Sequence, residues 1–354
     1  MMRSINKDQM TPKERVMAFA DGLPIDRLLC MPFVSDHSYR LMGGPIAKYY
    51  NSAQLMAEAQ INAFRIYGHD SVGDGPGLFG IAEAMGTKLT YPEDGIPFVA
   101  EPILRDYAAI DMLPEINPRS PGRLLASIQS LEILEKAIGN EVSVGCSFGG
   151  PVTTAAAVRG TELFLKDLVR NPSMAHQLLK ISTENILRLV DAFCDIGIKP
   201  GICEPVASGT IIAARQFREF AAPYLKLIAD RIKARFGSGP FLHICGDTTR
   251  ILTDMADIGA SILSLDNQID LAVAKKEVGD RVCLAGNVKP ADTLWRGSRD
   301  DVFAEVKECI RKAGDSPKGY IVSSGCGLPL ATPQENVHAM MDAVRLYGKM
   351  PINL

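Results

Sequence analysis

Along the chain, short apolar runs alternate with longer segments of helical period. Residues 28–34 are continuously apolar and of strand length, whereas residues 52–67 put Leu55, Met56, Ala59, Ala63 and Ile66 on one side of a helix. Ahead of both, Thr11-Pro12-Lys13-Glu14 reads as a capping box with proline at the first helical position, opening a helix through residue 20. Residues 70–118 are rich in Gly and Pro and break the rhythm. They predict a weak second strand and then an insertion over about 75–118 that carries a short hairpin (88–91 with 98–101). Within it, Gly73-Asp74-Gly75-Pro76-Gly77 follows no clear strand and opens no clear helix, so it reads as a turn and not as a phosphate cradle.

Beyond residue 118 the alternation is regular. Strands are predicted at 142–148, 199–204, 240–245, 261–266, 282–287 and 320–326. Helices are predicted at 122–138, 161–169, 174–193, 216–236, 248–255, 271–277, 301–312 and 333–347. Apolar strands separated by helices imply a parallel sheet covered on its outer face. With the weak second strand there are eight, enough to close an α/β barrel of the (β/α)8 TIM type. The expected organisation is one domain over 1–354, with an N-terminal extension (1–27) and the insertion after the second strand. No G-x-G-x-x-G or Walker loop follows the first strand to favour a doubly wound sheet.

Composition narrows the function classes. Of the 354 residues, 47% are hydrophobic and 22% charged, which is ordinary globular usage. Lys and Arg (38) nearly balance Asp and Glu (41), and no run of like charge occurs, which argues against nucleic-acid and anionic-membrane partners. No apolar stretch reaches the roughly 18 residues of a membrane span. The start carries Arg3, Lys7, Lys13, Glu14 and Arg15 without an apolar core, so a secretory signal is not expected and a cytoplasmic location is. Eight cysteines in such a chain read as thiols, metal ligands or catalytic groups, not as a disulfide framework.

The predicted strand ends collect polar side chains: Glu204, then His243 and Cys245, then Asp266, Asn287 and Cys326. In α/β barrels that C-terminal face is where catalytic groups gather. His243 and Cys245, two apart on one strand, point to the same side, and an imidazole with a thiol suits Zn2+. A satisfied core histidine beside a buried thiol is the competing reading. Cys326, between Gly325 and Gly327 at the end of the last strand, would face the same mouth. Three N/S ligands with one open position is the format of a catalytic zinc site. Glu204 is expected to fill that position at rest, or to act as a base. Asp266 and Asn287 are expected to touch the ligand or orient the metal histidine, and Asn287 and Gly325 to contact the cofactor; Asx-type helix capping is the alternative for the first two. Cys30, Cys194, Cys283 and Cys309 are expected as small buried hydrophobes, and Cys146 and Cys203 as near neighbours of the strand ends. His37, His69, His176 and His338 are expected on the surface or in loops, and Trp295 in helix packing.

Several segments resemble the uroporphyrinogen decarboxylase superfamily, in order along nearly the whole chain. They are Pro24-Ile25-Asp26-Arg27, Phe148-Gly149-Gly150-Pro151, residues 217–224, Leu284-Ala285-Gly286-Asn287-Val288-Lys289-Pro290, Gly325-Cys326-Gly327-Leu328-Pro329 and Thr332-Pro333-Gln334-Glu335-Asn336-Val337. The decarboxylase branch carries R-x-x-G-R-Y after the first strand, unmatched by residues 34–40 here, and its essential Asp falls on Gly77. The methylcobamide:coenzyme M methyltransferase branch carries H-x-C…C as zinc ligands, matched by His243, Cys245 and Cys326; Ile81-Ala82-Glu83-Ala84-Met85-Gly86 also resembles it. A third group, zinc-dependent O-demethylase methyltransferases, uses two Glu and a His, for which Glu204 and Glu219 have a suggestive spacing.

The resemblance implies a zinc enzyme that moves a methyl group between a corrinoid and a small thiol such as coenzyme M. No corrinoid-binding D-x-H-x-x-G string occurs, so the corrinoid (a methylcobamide) would arrive on a separate corrinoid protein or free. A porphyrinogen decarboxylase and a non-enzymatic tetrapyrrole binder on the same fold are the alternatives.

Overall fold

The computed structural model describes residues 7–352. Its eight parallel strands are β1 (Leu29–Cys30), β2 (Ser71–Gly73), β5 (Ser143–Gly149), β6 (Pro200–Cys203), β7 (Phe241–Ile244), β8 (Ile262–Leu265), β9 (Cys283–Val288) and β10 (Tyr320–Ser324). They hydrogen-bond in the order β1-β10-β9-β8-β7-β6-β5-β2, a nearly closed (β/α)8 barrel with helices between strands. The hairpin β3 (Lys88–Thr90) and β4 (Phe98–Glu101) stands apart as its own antiparallel pair within the insertion. The apolar core lies between barrel and helices: Ile202, Leu242, Ile244, Leu263, Leu265 and Leu284 are fully buried on the outer face of the strands. With a strand period of two, the intervening residues point into the barrel.

Only β1 and β2 lack a ladder between them, and Asp70 crosses that seam. Its N–H donates to the Cys30 carbonyl (2.9 Å), and its carboxylate accepts the Cys30 N–H (2.7 Å). One residue thus supplies both halves of the missing strand pairing. The same carboxylate takes Arg15 (2.5 Å) and Arg27 (2.7 Å), and Arg15 continues to Asp26 (2.6 Å). Arg15 and Asp70 are wholly buried. The N-terminal helix Pro12–Ala20, capped as predicted by Thr11 and Glu14, is therefore tied by charge to the open edge of the barrel.

The structure departs from the pattern in identifiable places. The first strand stops at Cys30, because Pro32 has no N–H to continue a ladder. The helix Pro151–Arg159 was not expected; its proline start and alanine-rich body are helix signals, but Gly149-Gly150 masks the boundary. Short helices at His37–Arg40, Gly80–Ala84 and Pro290–Trp295 were likewise not anticipated. His37, expected on the surface or in a loop, starts the short helix His37–Arg40 and is buried, its ring bonded to the Leu330 carbonyl (3.1 Å) and the Tyr67 hydroxyl (2.9 Å). His69 lies in a loop but is buried beside Phe64 and Tyr67. Trp295 is 38% exposed under Arg296 instead of packed. Among the described residues no helix is long and apolar enough to cross a membrane.

Replacing Asp70 by Ala should lower the unfolding free energy by about 3–5 kcal/mol, because two buried guanidinium groups lose their carboxylate. Urea unfolding followed by circular dichroism measures this. A loss below about 1 kcal/mol would show that the seam is held elsewhere.

Candidate metal centre and substrate cavity

His243 sits on β7, Cys245 just beyond its end, and Cys326 just beyond β10. Leu242 and Ile244 anchor the outer face, so His243 and Cys245 turn inward together, as the alternation requires. The three ligand atoms lie within 4.8 Å of one another. His243 Nε2 is 3.1 Å from Cys245 Sγ, and Cys245 Sγ is 3.5 Å from Cys326 Sγ. All eight cysteines are free thiols. Tetrahedral zinc with these ligands needs S···S near about 3.8 Å and N···S near about 3.5 Å, from bond lengths of about 2.3 and 2.0 Å. The cluster meets this by opening a few tenths of an ångström, so the donor set fits zinc. Cys245 donates its S–H to Cys326, which holds Cys326 well below the ordinary thiol range against the effect of burial, with His243 adding to the drop. Cys245 is raised in turn by the same bond. The thiolate form is the one that ligates a metal ion.

The other nitrogen of the imidazole, Nδ1, is 3.0 Å from Ser264 Oγ. Ser264 is the cross-strand partner of His243 between β7 and β8 and is fully buried. A hydrogen bond there fixes ring orientation and which nitrogen is free for a metal. Sequence reasoning missed this residue and looked to Asp266 and Asn287 instead. The available signal was a lone serine within an apolar strand, in phase with His243. The edge of Phe33 packs on the imidazole, with ring centroids 5.3 Å apart.

Glu204 is corrected by the structure. Its carboxylate is fully buried and accepts from Val152 N–H (2.9 Å), Thr153 N–H (2.7 Å) and Thr153 Oγ (2.5 Å). Both oxygens are spent on the start of the helix Pro151–Arg159, where the orphan N–H groups and the dipole favour an anion. Glu204 therefore stands outside the metal cluster, neither fourth ligand nor exposed base. Gly150 is required here: a Cβ would fall 2.3 Å from Glu204 Oε2.

Asn287 is also reassigned. Its amide donates to the carbonyls of Asp266 (2.9 Å) and Ile269 (2.7 Å), leaving no donor for a cofactor or a reacting group. Asp266 accepts from Gln268 N–H (3.0 Å), the Asx-turn alternative, and touches the cluster only through its charge, which adds to the raising of Cys245. At Gly325 a Cβ would lie 2.6 Å from Asn267 N, so close packing calls for a glycine there. Glu219 is exposed near His176 (3.9 Å), whereas Glu204 is fully buried against the start of the helix Pro151–Arg159. Cys203, opposite His243 in register, lines the cavity, and burial pushes its thiol up to about 12. Cys30, Cys194, Cys283 and Cys309 are buried as expected.

The cluster opens into a cavity of about 530 Å³ that runs down the barrel interior. Barrels of this type are ordinarily filled by layers of bulky side chains. Here the inward positions of β5 are Ser143, Gly145 and Ser147, and a Cβ on Gly145 would meet nothing within 4 Å. Small residues leave the barrel hollow. At the mouth the wall is polar and aromatic, with Asp36, Tyr50, Asp74 and Arg123.

Glu204→Gln should destabilise the chain by about 1–3 kcal/mol near neutral pH without altering metal content. Burial pushes the Glu204 carboxyl up to about 7 from an ordinary 4.5, so the folded chain holds its proton longer than the unfolded chain. Stability from this group therefore falls as pH rises from about 4.5 to about 7, and the Gln variant should show a flatter profile in chemical denaturation across that window. Loss of bound metal in the variant would return Glu204 to the cluster.

Three comparisons bear on the chain. The family model described as "Uroporphyrinogen decarboxylase (URO-D)" matches residues 11–347. A "Methylcobamide:CoM methyltransferase MtaA" of Methanosarcina barkeri is 29% identical over 342 residues, covering 95% of this chain and 98% of that protein. "Methylcobamide:CoM methyltransferase MtbA" of Methanosarcina acetivorans is 26% identical over 344 residues (96% and 99%). A "Uroporphyrinogen decarboxylase" of Chlorobium phaeobacteroides is 30% identical over 308 residues (82% and 84%). The solved structure titled "methyltransferase from Methanosarcina mazei" superposes with a TM-score of 0.85 at 26% identity, covering 95% of this chain and 98% of that one. The enzyme class expected from the sequence, a methyltransferase, agrees with these full-length relatives. Matched from residue 11 to residue 347 and folded as the same barrel, the chain belongs to the uroporphyrinogen decarboxylase family.

Proposed function

We propose that this chain is a zinc-dependent methyltransferase that moves a methyl group between a corrinoid and a small thiol such as coenzyme M. The observation that carries the reading is the His243, Cys245 and Cys326 cluster, whose donor set fits zinc and whose open side faces the cavity. The full-length similarity to methylcobamide:CoM methyltransferases supports the corrinoid and the thiol as substrates. The decarboxylase alternative is disfavoured by residues 34–40, which do not carry the R-x-x-G-R-Y of that branch.

Zinc bound at the cluster would supply a Lewis acid that keeps the substrate thiol deprotonated at neutral pH. The chain's own part is positional. Ser264 orients His243, and the outward anchors Leu242 and Ile244 keep β7 from rotating the ligands away. Two cysteine sulfurs among the ligands would leave a zinc centre with little residual positive charge, so that a substrate thiolate would keep its nucleophilicity. The hollow barrel admits the thiol, and the mouth receives the corrinoid face, brought by a corrinoid protein or free. The thiolate sulfur attacks the methyl carbon of methyl-Co(III), the Co–C bond breaks, and its electron pair stays on cobalt as Co(I). The products are a methyl thioether and the proton released from the thiol.

Purified protein should hold one zinc per chain by metal analysis, and Cys245→Ala or Cys326→Ala should lose it. Ser264→Ala should weaken zinc about 10- to 100-fold in a chelator competition. With methylcobalamin and coenzyme M, the wild type should turn the absorbance from methyl-Co(III) to Co(I). Carbon dioxide release from uroporphyrinogen with methylcobalamin untouched would overturn the reading.

A further inference from the structure

We propose that Arg123 is the oxyanion-binding residue of the substrate cavity and takes the sulfonate or carboxylate of the thiol. This rests on the methyl-transfer reading above and names the class of thiol: one with an anionic tail. Arg123 opens the helix Arg123–Ile138 and is only 7% exposed, yet it lines the same cavity as the metal cluster. A guanidinium has five N–H donors. Arg123 spends one of them, Nη1, on a long bond to the Tyr91 hydroxyl (3.4 Å), and its buried Nε–H has no partner.

The carboxylates around it are engaged elsewhere. Tyr50 donates to Asp36 (2.9 Å), Tyr49 and the Gly75 N–H to Asp74, and Tyr91 to Glu83 (2.5 Å). None of the three forms an ion pair with Arg123 among the described residues, although the charge of Arg123 is felt at Asp36 and Asp74. The guanidinium instead lies over the rings of Tyr50 (4.7 Å) and Tyr91 (5.8 Å), which hold its plane without using its N–H edge. Gly77 makes room for it, since a Cβ there would come within 2.7 Å of Nη2.

A buried cation with unspent donors is costly unless an anion completes it. A fixed fork of N–H groups at the wall of a cavity is suited to a planar carboxylate or a sulfonate. The start of a 16-residue helix without a side-chain cap adds positive potential at the same place. The phosphate of a corrinoid's nucleotide loop has the same chemistry and is the other source of an oxyanion.

The test is calorimetric binding of thiols to zinc-loaded protein, using 2-mercaptoethanesulfonate, 3-mercaptopropionate and uncharged 2-mercaptoethanol. The wild type should prefer the two anions by about 10- to 100-fold. Arg123→Gln should erase that preference while affinity for 2-mercaptoethanol stays within about twofold, and Arg123→Lys, which keeps the charge and the stem, should retain part of it. Equal affinities in the wild type, or a preference that survives Arg123→Gln, would overturn the proposal, and the wild-type panel decides even if Arg123→Gln fails to fold. A defect in Arg123→Gln seen with methylcobalamin but absent with methylcobinamide, which lacks the phosphate, would move the anion to the corrinoid and overturn the thiol assignment. No zinc-dependent binding of any thiol would instead sink the methyl-transfer reading itself.

Discussion

The barrel depends on the closure that Asp70 makes between its first and second strands. β1 and β2 are two and three residues long; each pairs with its other neighbour, β10 and β5, but not with the other. Asp70 replaces that ladder with one backbone bond and one side-chain bond to Cys30, and brings two arginines from the N-terminal segment onto the same carboxylate. A carboxylate in a dry environment needs such company, and charge-assisted bonds there are strong. The N-terminal extension is therefore the clasp of the barrel, and the geometry at the mouth inherits that closure.

On that frame the site is built from one alternation. Outward leucines and isoleucines lock each strand against the helices, and the inward residue between them has no choice of direction. His243, Cys245 and Ser264 arrive together for this reason, and Cys326 joins them where Gly325 packs against the loop after β8. The same economy explains the hollow. Serine and glycine at the inward positions of β5 remove the layers that usually fill a barrel of this kind, and space for a substrate appears beneath the metal ligands.

Carboxylates around the site have opposite fates. Glu204 follows a strand that points at the mouth, yet the helix Pro151–Arg159 begins beside it and its free N–H groups claim both oxygens. Asp74 and Asp36, in segments that read as loops, line the cavity instead, each held by a tyrosine. A carboxylate goes where its lone pairs are answered, and that depends on neighbours remote in sequence.

Periodicity in the sequence determined seven of the eight strands, with a weak signal for the second, their parallel sense and the inward pairing of His243 with Cys245, because side-chain direction along a strand is a local property. The C-terminal placement of Cys326 followed from the same count, and the family resemblance was legible in short contiguous motifs. Which polar groups meet was decided by the tertiary structure alone. Ser264 reaches His243 through register between strands, Glu204 is captured by a helix start 52 residues earlier, and Asn287 is consumed by the carbonyls of Asp266 and Ile269. Arg123 has room for its guanidinium beside Gly77, distant in the chain, which carries no side chain. Hydrogen bonds between elements depend on three-dimensional separation to within a few tenths of an ångström, and no one-dimensional pattern carries that distance.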